Sequence, residues 1–515
     1  MLRVGIDVGG TNTDAVVMEG RRLLAACKRA TSEDIGSGVV AAITEVLRQA
    51  SVAPSALAAV MIGTTQFTNA LVERRRLNRI GVIRVGLPAG ASLPPMTAWP
   101  AALEQAIGAH TTMVSGGYHF DGRSYRDLDE AAVIAHVRDC QRLGIGAFSV
   151  SCVFAPVRDE AERRCAEIIL GLMPQAQVTL SSQIGRLGLI ERENASLLNA
   201  ALGEHAQRVV GAFSQALVEM GIAAPLYLSQ NDGTLMGAAR AQRFPVFTFA
   251  SGPTNSMRGA AYLTGCRDAL VVDIGGTTTD VGALVNGFPR ESSLSADIGG
   301  VRTNFRMPDV VSIALGGGSR VCLSTDPPQI GPHSVGHDLA KAALVFGGDT
   351  LTASDVAVAA GRFALGDPGR VAQLDPARVA QAMQQMQASV ETAVDRMKTA
   401  AGEANVILVG GGSVLMPVHL AGAVQVLRPE HAGVANAIGA AIAQVGAEVD
   451  RTLALAGQDR ATVLAGLRAE ACAASVAAGA DADSTEVVDI EEIPLTYLPG
   501  DHVRIRVRAV GELRL

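Results

Sequence analysis

Lysine is almost absent from this sequence of 515 residues, in which only Lys28, Lys341 and Lys398 occur. Lys28 and Lys398 lie in no motif described below, and Lys341 lies only in the long segment 333–359, which argues against a catalytic lysine. The formal net charge is −7, whereas a general nucleic-acid binder carries a basic face. We therefore expect no nucleic-acid partner.

The seven cysteines stand singly, with no CxxC pair and no Cys/His grouping at the spacing of a zinc site. We expect buried, reduced thiols. No apolar run is long enough to span a bilayer, and the start MLRVGIDVGG lacks a basic leader with a cleavage site. The composition, 48% hydrophobic and 18% charged, is that of a well-packed globular protein. These features predict a soluble, cytoplasmic protein with no membrane partner.

One segment occurs twice. DVGGTNTD at residues 7–14 recurs as DIGGTTTD at residues 273–280, and the two agree at six of eight positions. Each follows an apolar strand and precedes another, which is the pattern of a hairpin. The copies lie 266 residues apart, about half the chain, and therefore predict a duplicated domain.

The residue types of this repeated segment suit phosphate. Glycines lack the β-carbons that would block a ligand, so backbone N–H groups and threonine hydroxyls can surround phosphate oxygens. The carboxylates Asp7 and Asp273 can hold magnesium directly or through its water shell. Asp14 and Asp280 could orient a nucleophile or the water of the metal, or could simply cap turns. The predicted phosphate-binding residues are Gly9, Gly10, Thr11, Asn12 and Thr13, with Gly275, Gly276, Thr277 and Thr278 in the second copy.

Three further segments are rich in small residues. LVGGGSVLMP at residues 408–417 predicts a strand that enters a glycine turn, where Gly410, Gly411, Gly412 and Ser413 would contact adenosine. GVANAIGAAIA at residues 433–443 predicts a helix suited to close packing between two domains. LGGGS at residues 315–319 could serve substrate, phosphate or only a turn.

Together these segments resemble the actin, sugar kinase and heat-shock chaperone superfamily. More closely, the chain resembles the hydantoinase A and 5-oxoprolinase family, and within it the short members, which lack a further C-terminal region. The motifs that carry this resemblance are GTTQFTNALVER at residues 63–74, IERENASLLNA at 190–200, SGPTNSMRGA at 251–260 and HSVGHDLAKAALVFGGDTLTASDVAVA at 333–359. Thr254, Asn255 and Ser256 depart from the usual small residues, which leaves the substrate open.

The resemblance implies an α/β fold with two ribonuclease-H-like domains, the actin-like ATPase fold, flanking a nucleotide cleft. It implies an N-terminal domain over residues 1–180 with the first phosphate loop. A second domain over residues 181–450 would hold the second phosphate loop and the adenosine loop, and residues 451–515 would form a small C-terminal extension. The implied cofactors are ATP and Mg²⁺.

The resemblance also implies an enzyme that opens a cyclic amide such as a hydantoin, 5-oxoproline or another lactam, through phosphoryl transfer from ATP to the carbonyl oxygen. Two alternatives stay open: the ATP-binding subunit of an ATP-dependent carboxylase, and a nucleotide-dependent regulatory or assembly component. A second, hydantoinase B-like subunit or a homo-oligomer is the implied partner. The implied substrate-binding residues are Thr64, Thr65, Asn69, Asn231, Asp232 and Ser251.

Two residue pairs have both a functional and a structural interpretation. Glu191 and Arg192 could contact substrate or form a structural ion pair, and the ion pair is favoured. His333 and His337 are four residues apart and could bind metal if helical. The glycine between them and the lack of an obvious third ligand favour exposed or packing histidines.

Overall fold

The computed structural model describes residues 1–31, 35–292, 296–496 and 501–514. The strands of the first half are β1 Leu2–Val8, β2 Asn12–Glu19, β3 Arg22–Ala30, β4 Leu57–Thr64, β5 Ile80–Leu87, β6 His110–Ser115, β7 Gly117–Tyr118, β8 Ser124–Arg126, β9 Ala147–Cys152, β10 Gln177–Leu180, β11 Leu226–Ser229 and β12 Thr234–Gly237. The later strands are β13 Ala269–Ile274, β14 Thr279–Val285, β15 Phe288–Pro289, β16 Ala296–Ile298, β17 Val301–Thr303, β18 Val310–Ile313, β19 Ser319–Cys322, β20 Gln329–Ser334, β21 Ala404–Val409, β22 Ala423–Leu427, β23 Gln444–Ala454, β24 Glu486–Pro494 and β25 His502–Gly511. The helices are α1 Ile35–Ala50, α2 Gln66–Val72, α3 Ala101–Ile107, α4 Glu130–Arg142, α5 Glu160–Leu172, α6 Leu189–Glu219, α7 Ala238–Arg243, α8 Ser251–Thr264, α9 Leu339–Ala342, α10 Ala353–Ala359, α11 Pro376–Met397, α12 Ala435–Ala441 and α13 Arg460–Ala477.

Two sheets repeat one topology. In the first, the order β3-β2-β1-β4-β11 joins three antiparallel strands to two parallel ones. In the second, the order β15-β14-β13-β21-β22 does the same. This is the ribonuclease-H-like arrangement, so the predicted α/β fold with a duplicated domain is confirmed.

Additions distinguish the two halves. Between β4 and β11 the chain forms a separate parallel sheet of order β10-β9-β5-β6, in which β6 is an edge strand. The first sheet also continues beyond β11 through β12, β23, β25 and β24. The strand β25 is therefore paired on both sides, and β24 is the edge.

The domain boundaries predicted from the sequence stay a prediction, but sheet membership favours a different division. Strands β11 and β12 follow residue 180 and yet belong to the first sheet, and residue 450 falls inside β23. We propose that residues 1–250 and the chain from β23 onward form the first unit. The second unit then consists of the β13–β22 region.

Helices α8 and α12 connect the two sheets and pack closely, as the small residues of the second helix predict. A β-carbon on Gly259 would lie 1.9 Å from the carbonyl oxygen of Ala435, and one on Gly439 would lie 1.9 Å from that of Asn255. Only glycine permits this separation, because the backbones themselves are in contact. The same helices deliver polar side chains to the cleft described below.

The cysteines follow the prediction only in part. Cys27, Cys140, Cys152 and Cys165 are buried, Cys266 and Cys472 are half-exposed, and Cys322 is exposed. The prediction is wrong for Cys322 because that residue ends the short strand β19, at the surface. Cys140 also lies beside His110 and His136, a grouping that the linear spacing does not reveal. Among the described residues, no helix is both long and apolar enough to cross a membrane.

Candidate active site

The first copy of the repeated segment places three charged groups in one row across the sheet. Asp7 in β1 lies opposite Asp14 in β2, and Asp14 lies opposite Lys28 in β3. Directly opposed residues in antiparallel strands present their side chains on the same face. The Nζ atom of Lys28 lies 2.5 Å from Oδ1 of Asp14. We call Asp7, Asp14 and Lys28 the first row.

The second copy repeats this row with one difference. Asp273 in β13 lies opposite Asp280 in β14, and Asp280 lies opposite Ser312 in β18. The hydroxyl of Ser312 donates a hydrogen bond to Asp280. We call Asp273, Asp280 and Ser312 the second row. A neutral hydroxyl therefore occupies the position where the first row has an ammonium group.

The carboxyl groups of the two rows are crowded and enclosed. Burial, reinforced by the charges of Asp14 and Asp273, raises the pKa of Asp7 to about 7. Burial likewise raises the pKa of Asp273 to about 6, against the lowering effect of a hydrogen bond from Ser256. Burial also raises the pKa of Asp14 and of Asp280, and Lys28 and Ser312 respectively oppose these shifts. A site that penalises charged carboxylates in this way is one that a cation stabilises.

The connecting helices contribute side chains to both rows. Asn436 in α12 donates from Nδ2 to Oδ2 of Asp7 at 2.9 Å, and Ser256 in α8 donates to Oδ2 of Asp273 at 2.5 Å. Asn255 in α8 is fully buried, and within the described chain neither its amide nitrogen nor its oxygen has a hydrogen-bond partner. A β-carbon on Gly63 would lie 2.4 Å from this amide nitrogen and 2.6 Å from Oδ1 of Asp7. The unsatisfied amide therefore lies next to the carboxylate of Asp7.

The residues present fit a hydrated magnesium ion. Mg²⁺ prefers oxygen ligands and keeps several of its waters, which need polar partners around the carboxylates. Asp7 and Asp273 interact electrostatically and supply the carboxylates. The amide of Asn255, unsatisfied within the described part of the chain, supplies a polar partner for a water. Sequence reasoning missed Asn255, Ser256 and Asn436 as cleft residues, since each lies in a helix far along the chain.

The two glycine loops close in the same way and face each other. Gly9 donates its N–H to the carbonyl of Asn12 at 3.0 Å, and Gly275 donates to that of Thr278 at 2.9 Å. A β-carbon on Gly276 would lie 3.0 Å from Oγ1 of Thr11, so the loops meet across the cleft. The predicted phosphate residues of both copies are thus brought together, although their role stays a prediction.

Thr31, which follows β3, supports the first loop. Its hydroxyl donates to the carbonyl of Gly9 at 2.8 Å, and its N–H donates to the carbonyl of Thr11 at 3.0 Å. Its hydroxyl also lies 3.3 Å from that of the buried Thr13. The hydroxyl of Thr13 is therefore engaged inside the protein, whereas Thr11 and Asn12 are partly exposed.

The adenosine loop predicted at Gly410, Gly411, Gly412 and Ser413 lies against the second glycine loop. Gly412 donates its N–H to the carbonyl of Ile274 at 2.8 Å. Gly410 has a positive φ of 82°, and a β-carbon there would lie 2.3 Å from Oδ1 of Asp273. The residues 315–319 also pack on the second glycine loop, since Gly317 and Gly318 donate to the carbonyls of Gly275 and Gly276. These two hydrogen bonds support the second glycine loop, and a contact of LGGGS with substrate or phosphate stays a prediction.

Three of the predicted substrate residues lie at the end of β4, next to Asp7 in the sheet. Thr64 and Thr65 stand where β4 enters α2, and Asn69 lies one turn into that helix. Ser251 begins α8, and its hydroxyl both donates to the carbonyl of Thr64 at 3.1 Å and accepts from its N–H at 3.2 Å. Ser251 is fully buried and fastens α8 to β4. Thr65 and Asn69 are only partly buried.

Asn231 and Asp232 are engaged inside the protein. The amide nitrogen of Asn231 donates to the carbonyls of Val246 and Arg306, and its oxygen accepts from the N–H of Ala250. Asp232 accepts from Thr234 through one oxygen and from Arg306 through the other. Their substrate role stays a prediction, and the geometry offers a structural explanation for both.

The remaining candidates lie apart from the rows. Arg192 is buried and donates to Ser181 and to backbone carbonyls, while Glu191 faces Arg302, so the two residues do not pair with each other. His333 and His337 are both exposed, as favoured from the sequence.

A separate apolar cavity of about 250 Å³ is lined by Phe120, Val153, Phe154, Val157, Leu187, Gly188, Leu189, Arg192 and Thr452.

Family models match most of the chain. The model described as the hydantoinase/oxoprolinase N-terminal region matches residues 3–172, and the model described as hydantoinase/oxoprolinase matches residues 192–402. The acetophenone carboxylase gamma subunit of Aromatoleum aromaticum is 26% identical over 393 residues, covering 70% of this chain and 53% of that protein. The caprolactamase subunit alpha of Pseudomonas jessenii is 25% identical over 394 residues, covering 71% of this chain and 55% of that protein. The chain thus spans about half the length of these relatives.

Two solved structures share the fold over nearly the whole chain. The crystal structure of ATP-dependent caprolactamase from Pseudomonas jessenii has a TM-score of 0.80 at 18% identity, covering 99% of this chain and 88% of that chain. The nucleotide-free structure of acetone carboxylase has a TM-score of 0.72 at 19% identity, with the same coverage of both chains. At this identity the likeness establishes the fold alone.

Proposed function

The chain belongs to the hydantoinase/oxoprolinase family, and on this premise we propose that it uses ATP and Mg²⁺ to open a cyclic amide. The substrate class is a hydantoin, 5-oxoproline or another lactam. The observation that supports this proposal is the pair of carboxylate rows, in which burial raises the pKa of both Asp7 and Asp273. Duplicated hairpins that face each other across a cleft are suited to a triphosphate and its metal.

The chemistry explains why ATP is needed. An unstrained amide is a poor electrophile, and its nitrogen is a poor leaving group. The carbonyl oxygen of the substrate takes the γ-phosphoryl group, the bond from γ-phosphorus to the bridging oxygen breaks, and ADP is released. Water adds to the activated carbon, and the ring nitrogen takes a proton and leaves, as an amine from a lactam or as part of a ureido group from a hydantoin. A second water hydrolyses the resulting acyl phosphate to carboxylate and inorganic phosphate.

Each part of the cleft has a proposed role. Asp7 and Asp273 would hold Mg²⁺, which when bound neutralises charge on the phosphates. Lys28 compensates the charge of Asp14 and would attract the γ-phosphate. The two glycine loops would contact the phosphates, and residues 410–413 the adenosine. Asp14 and Asp280 would orient the attacking water.

The substrate would lie beside Thr64, Thr65 and Asn69, because this segment adjoins Asp7 at the end of a parallel strand. Loops at the carboxyl ends of parallel strands are the usual ligand sites of such sheets. Thr65 and Asn69 are partly exposed and carry the hydrogen-bonding groups that a ring amide requires. Ser251 would act indirectly, by fixing the backbone of Thr64.

A carboxylase subunit is the second candidate, and the likeness to the acetophenone carboxylase gamma subunit favours it. In that reaction the phosphoryl group would activate bicarbonate or a ketone enol in place of an amide. Both reactions would use the same residues of the cleft to bind ATP. The two candidates therefore differ in the second substrate and in the dependence on bicarbonate.

Phosphate release from ATP separates these functions. The full chain is incubated with Mg²⁺ and ATP alone, with hydantoin, 5-oxoproline or caprolactam, and with bicarbonate plus a ketone. Lactam-stimulated release with one ring opened per phosphate supports the hydrolase, and stimulation that requires bicarbonate supports the carboxylase. ATP binding without turnover in every arm favours a regulatory component or an enzyme that needs its second subunit for turnover.

A pair of variants ties any turnover to the cleft. Asp273→Asn removes one proposed metal ligand while keeping the size of the side chain, and should abolish turnover. Asp326→Asn is the matched control, because the side chain of Asp326 is 84% exposed. Near-normal turnover by Asp273→Asn would refute the assignment of the metal site.

A further inference from the structure

Three potential metal ligands meet in the parallel sheet inserted between β4 and β11. His136 and Cys140 lie four residues apart in α4 and therefore on one face of that helix. His110 is the first residue of the edge strand β6. Cys140 is fully buried, His136 is 5% exposed, and His110 is half-buried. One ligand atom from each lies within 4.8 Å of the others.

The closest pair already has the separation that a metal requires. The Sγ atom of Cys140 lies 3.5 Å from Nε2 of His136. A tetrahedral zinc ion with usual bond lengths of about 2.3 Å to sulfur and 2.0–2.1 Å to nitrogen sets these atoms about 3.5 Å apart. Two zinc-bound imidazole nitrogens lie about 3.3 Å apart by the same geometry. Since all three ligand atoms lie within 4.8 Å of one another, His110 needs to approach by no more than about 1.5 Å to complete the set.

The third ligand can make this movement. The rings of His110 and His136 are stacked with centroids 4.9 Å apart and an interplanar angle of 6°. The nitrogen lone pairs of stacked rings lie in two parallel planes, so the ring of His110 must tilt for both to converge on one ion. His110 is half-buried at the sheet edge, where such a turn displaces solvent rather than core side chains.

We propose that His110, His136 and Cys140 bind one zinc ion, with water as the fourth ligand on the side of His110. A thiolate with two imidazoles is a donor set that favours zinc over magnesium or calcium. The ion fastens the edge strand β6 to helix α4. This zinc site is separate from the proposed ATP cleft, where the proposed protein ligands of Mg²⁺ are carboxylate oxygen atoms.

The competing explanation is a thiol that contacts an imidazole in an apolar core, with no metal. Replacement of the ion by Co²⁺ distinguishes the two, because a cobalt–thiolate bond adds charge-transfer absorption in the near ultraviolet. The full-length chain is stripped with a chelator and titrated with Co²⁺, and then Zn²⁺ is added in competition. One equivalent of Co²⁺, displaced by Zn²⁺ with loss of the absorption, is the expected result.

Single-residue variants test which side chains bind the ion. Cys140→Ser should abolish the charge-transfer band, and His110→Asn should weaken metal binding by more than about 100-fold, since loss of an outer-shell partner alone costs roughly 10–100-fold. Cys165→Ser is the matched control, because Cys165 is a fully buried cysteine of the same core that lies outside the site. It should keep both the band and the zinc affinity.

The opposite results overturn the proposal. No stoichiometric binding to the wild-type chain, or an equal band in Cys140→Ser, means that Cys140 holds no metal. Unchanged zinc affinity in His110→Asn removes the third ligand and with it the link between β6 and α4. Zinc should also raise the thermal midpoint of the wild-type chain and of Cys165→Ser, but not that of Cys140→Ser.

Discussion

The ammonium nitrogen of Lys28 lies 2.5 Å from a carboxylate oxygen of Asp14, its cross-strand partner. Its positive charge also lowers the pKa of Asp7 and Asp273 against the larger effect of burial. Lys28 therefore links the first row electrostatically to the second. This contact gives one of the chain's three lysines a place in the cleft.

The first prediction concerns this charge. Lys28→Met should lower Mg²⁺-dependent ATP turnover by about 100–1,000-fold, the usual effect of removing a group that stabilises transition-state charge. Lys28→Arg should restore part of the rate. Lys341→Met is the control, because the side chain of Lys341 is 86% exposed. Equal rates for Lys28→Met and Lys341→Met would show that the ammonium has no role in turnover.

The second prediction separates stability from activity at Asp7. Its folded-state pKa of about 7 exceeds the ordinary value of 3.8. The stabilisation by protonated Asp7 is therefore complete below the ordinary pKa and is lost as pH rises through about 7. Asp7→Asn mimics the protonated form and still accepts a hydrogen bond from Asn436. It should melt at a higher temperature than the wild type at pH 8 without Mg²⁺, yet lack turnover. A lower melting temperature would contradict the assigned shift.

The third prediction concerns protons released by the metal. Carboxyl groups must be deprotonated to hold a cation, so binding expels protons where they are still present. Since the pKa values of Asp7 and Asp273 are about 7 and 6, Mg²⁺ should bind more tightly as pH rises from 5.5 to 8. Calorimetry in buffers of different ionisation enthalpy should detect proton release near pH 6 and almost none near pH 9. Release that is independent of pH would exclude these carboxyls as the ligands.

The fourth prediction concerns a fully buried ion pair. Arg84 donates from Nε to Oε1 of Glu193 at 2.7 Å, and the hydroxyl of Ser151 donates to the same oxygen at 2.6 Å. Glu193→Gln leaves the guanidinium buried without its counter-charge and should cost about 3–5 kcal/mol of unfolding free energy. Urea denaturation measures this loss. Glu130→Gln, which breaks an exposed pair with Arg164, should leave the urea midpoint almost unchanged.

The fifth prediction tests the packing of the connecting helices. Gly439→Ala forces a β-carbon to within 1.9 Å of the carbonyl oxygen of Asn255 and must separate α8 from α12. It should cost about 1–3 kcal/mol or more, as overpacking does. Gly466→Ala in α13 meets open space and should leave the thermal midpoint unchanged or slightly raised. Equal midpoints for the two variants would argue against close helix contact.

Much of the fold could be predicted because the duplicated segments carry strong local signals. DVGGTNTD and DIGGTTTD each join two apolar strands through a glycine turn, and both form the expected hairpins. The glycine run at residues 410–412 also lies beside the second hairpin, as a nucleotide cleft requires. These features depend on residues close together in the chain.

The rest of the site depends on long-range registry. Lys28 lies in no motif, and its role follows only when β3 is paired with β2 so that Lys28 faces Asp14. Asn436 reaches Asp7 across 429 positions of the chain, and no local pattern encodes that contact. The predicted domain boundaries also did not anticipate that β23 and β25 belong to the first sheet. Periodicity predicts strands but does not predict the order in which they pair.

The two rows have an evolutionary consequence. A duplicated ancestor begins with identical halves, and identical halves can only perform identical tasks. Here the third position holds Lys28 in one copy and Ser312 in the other. At equivalent places in one inherited framework, the first row therefore carries a positive charge where the second carries a neutral hydroxyl. Exchanging these two residues would therefore move the positive charge of the cleft from the first row to the second.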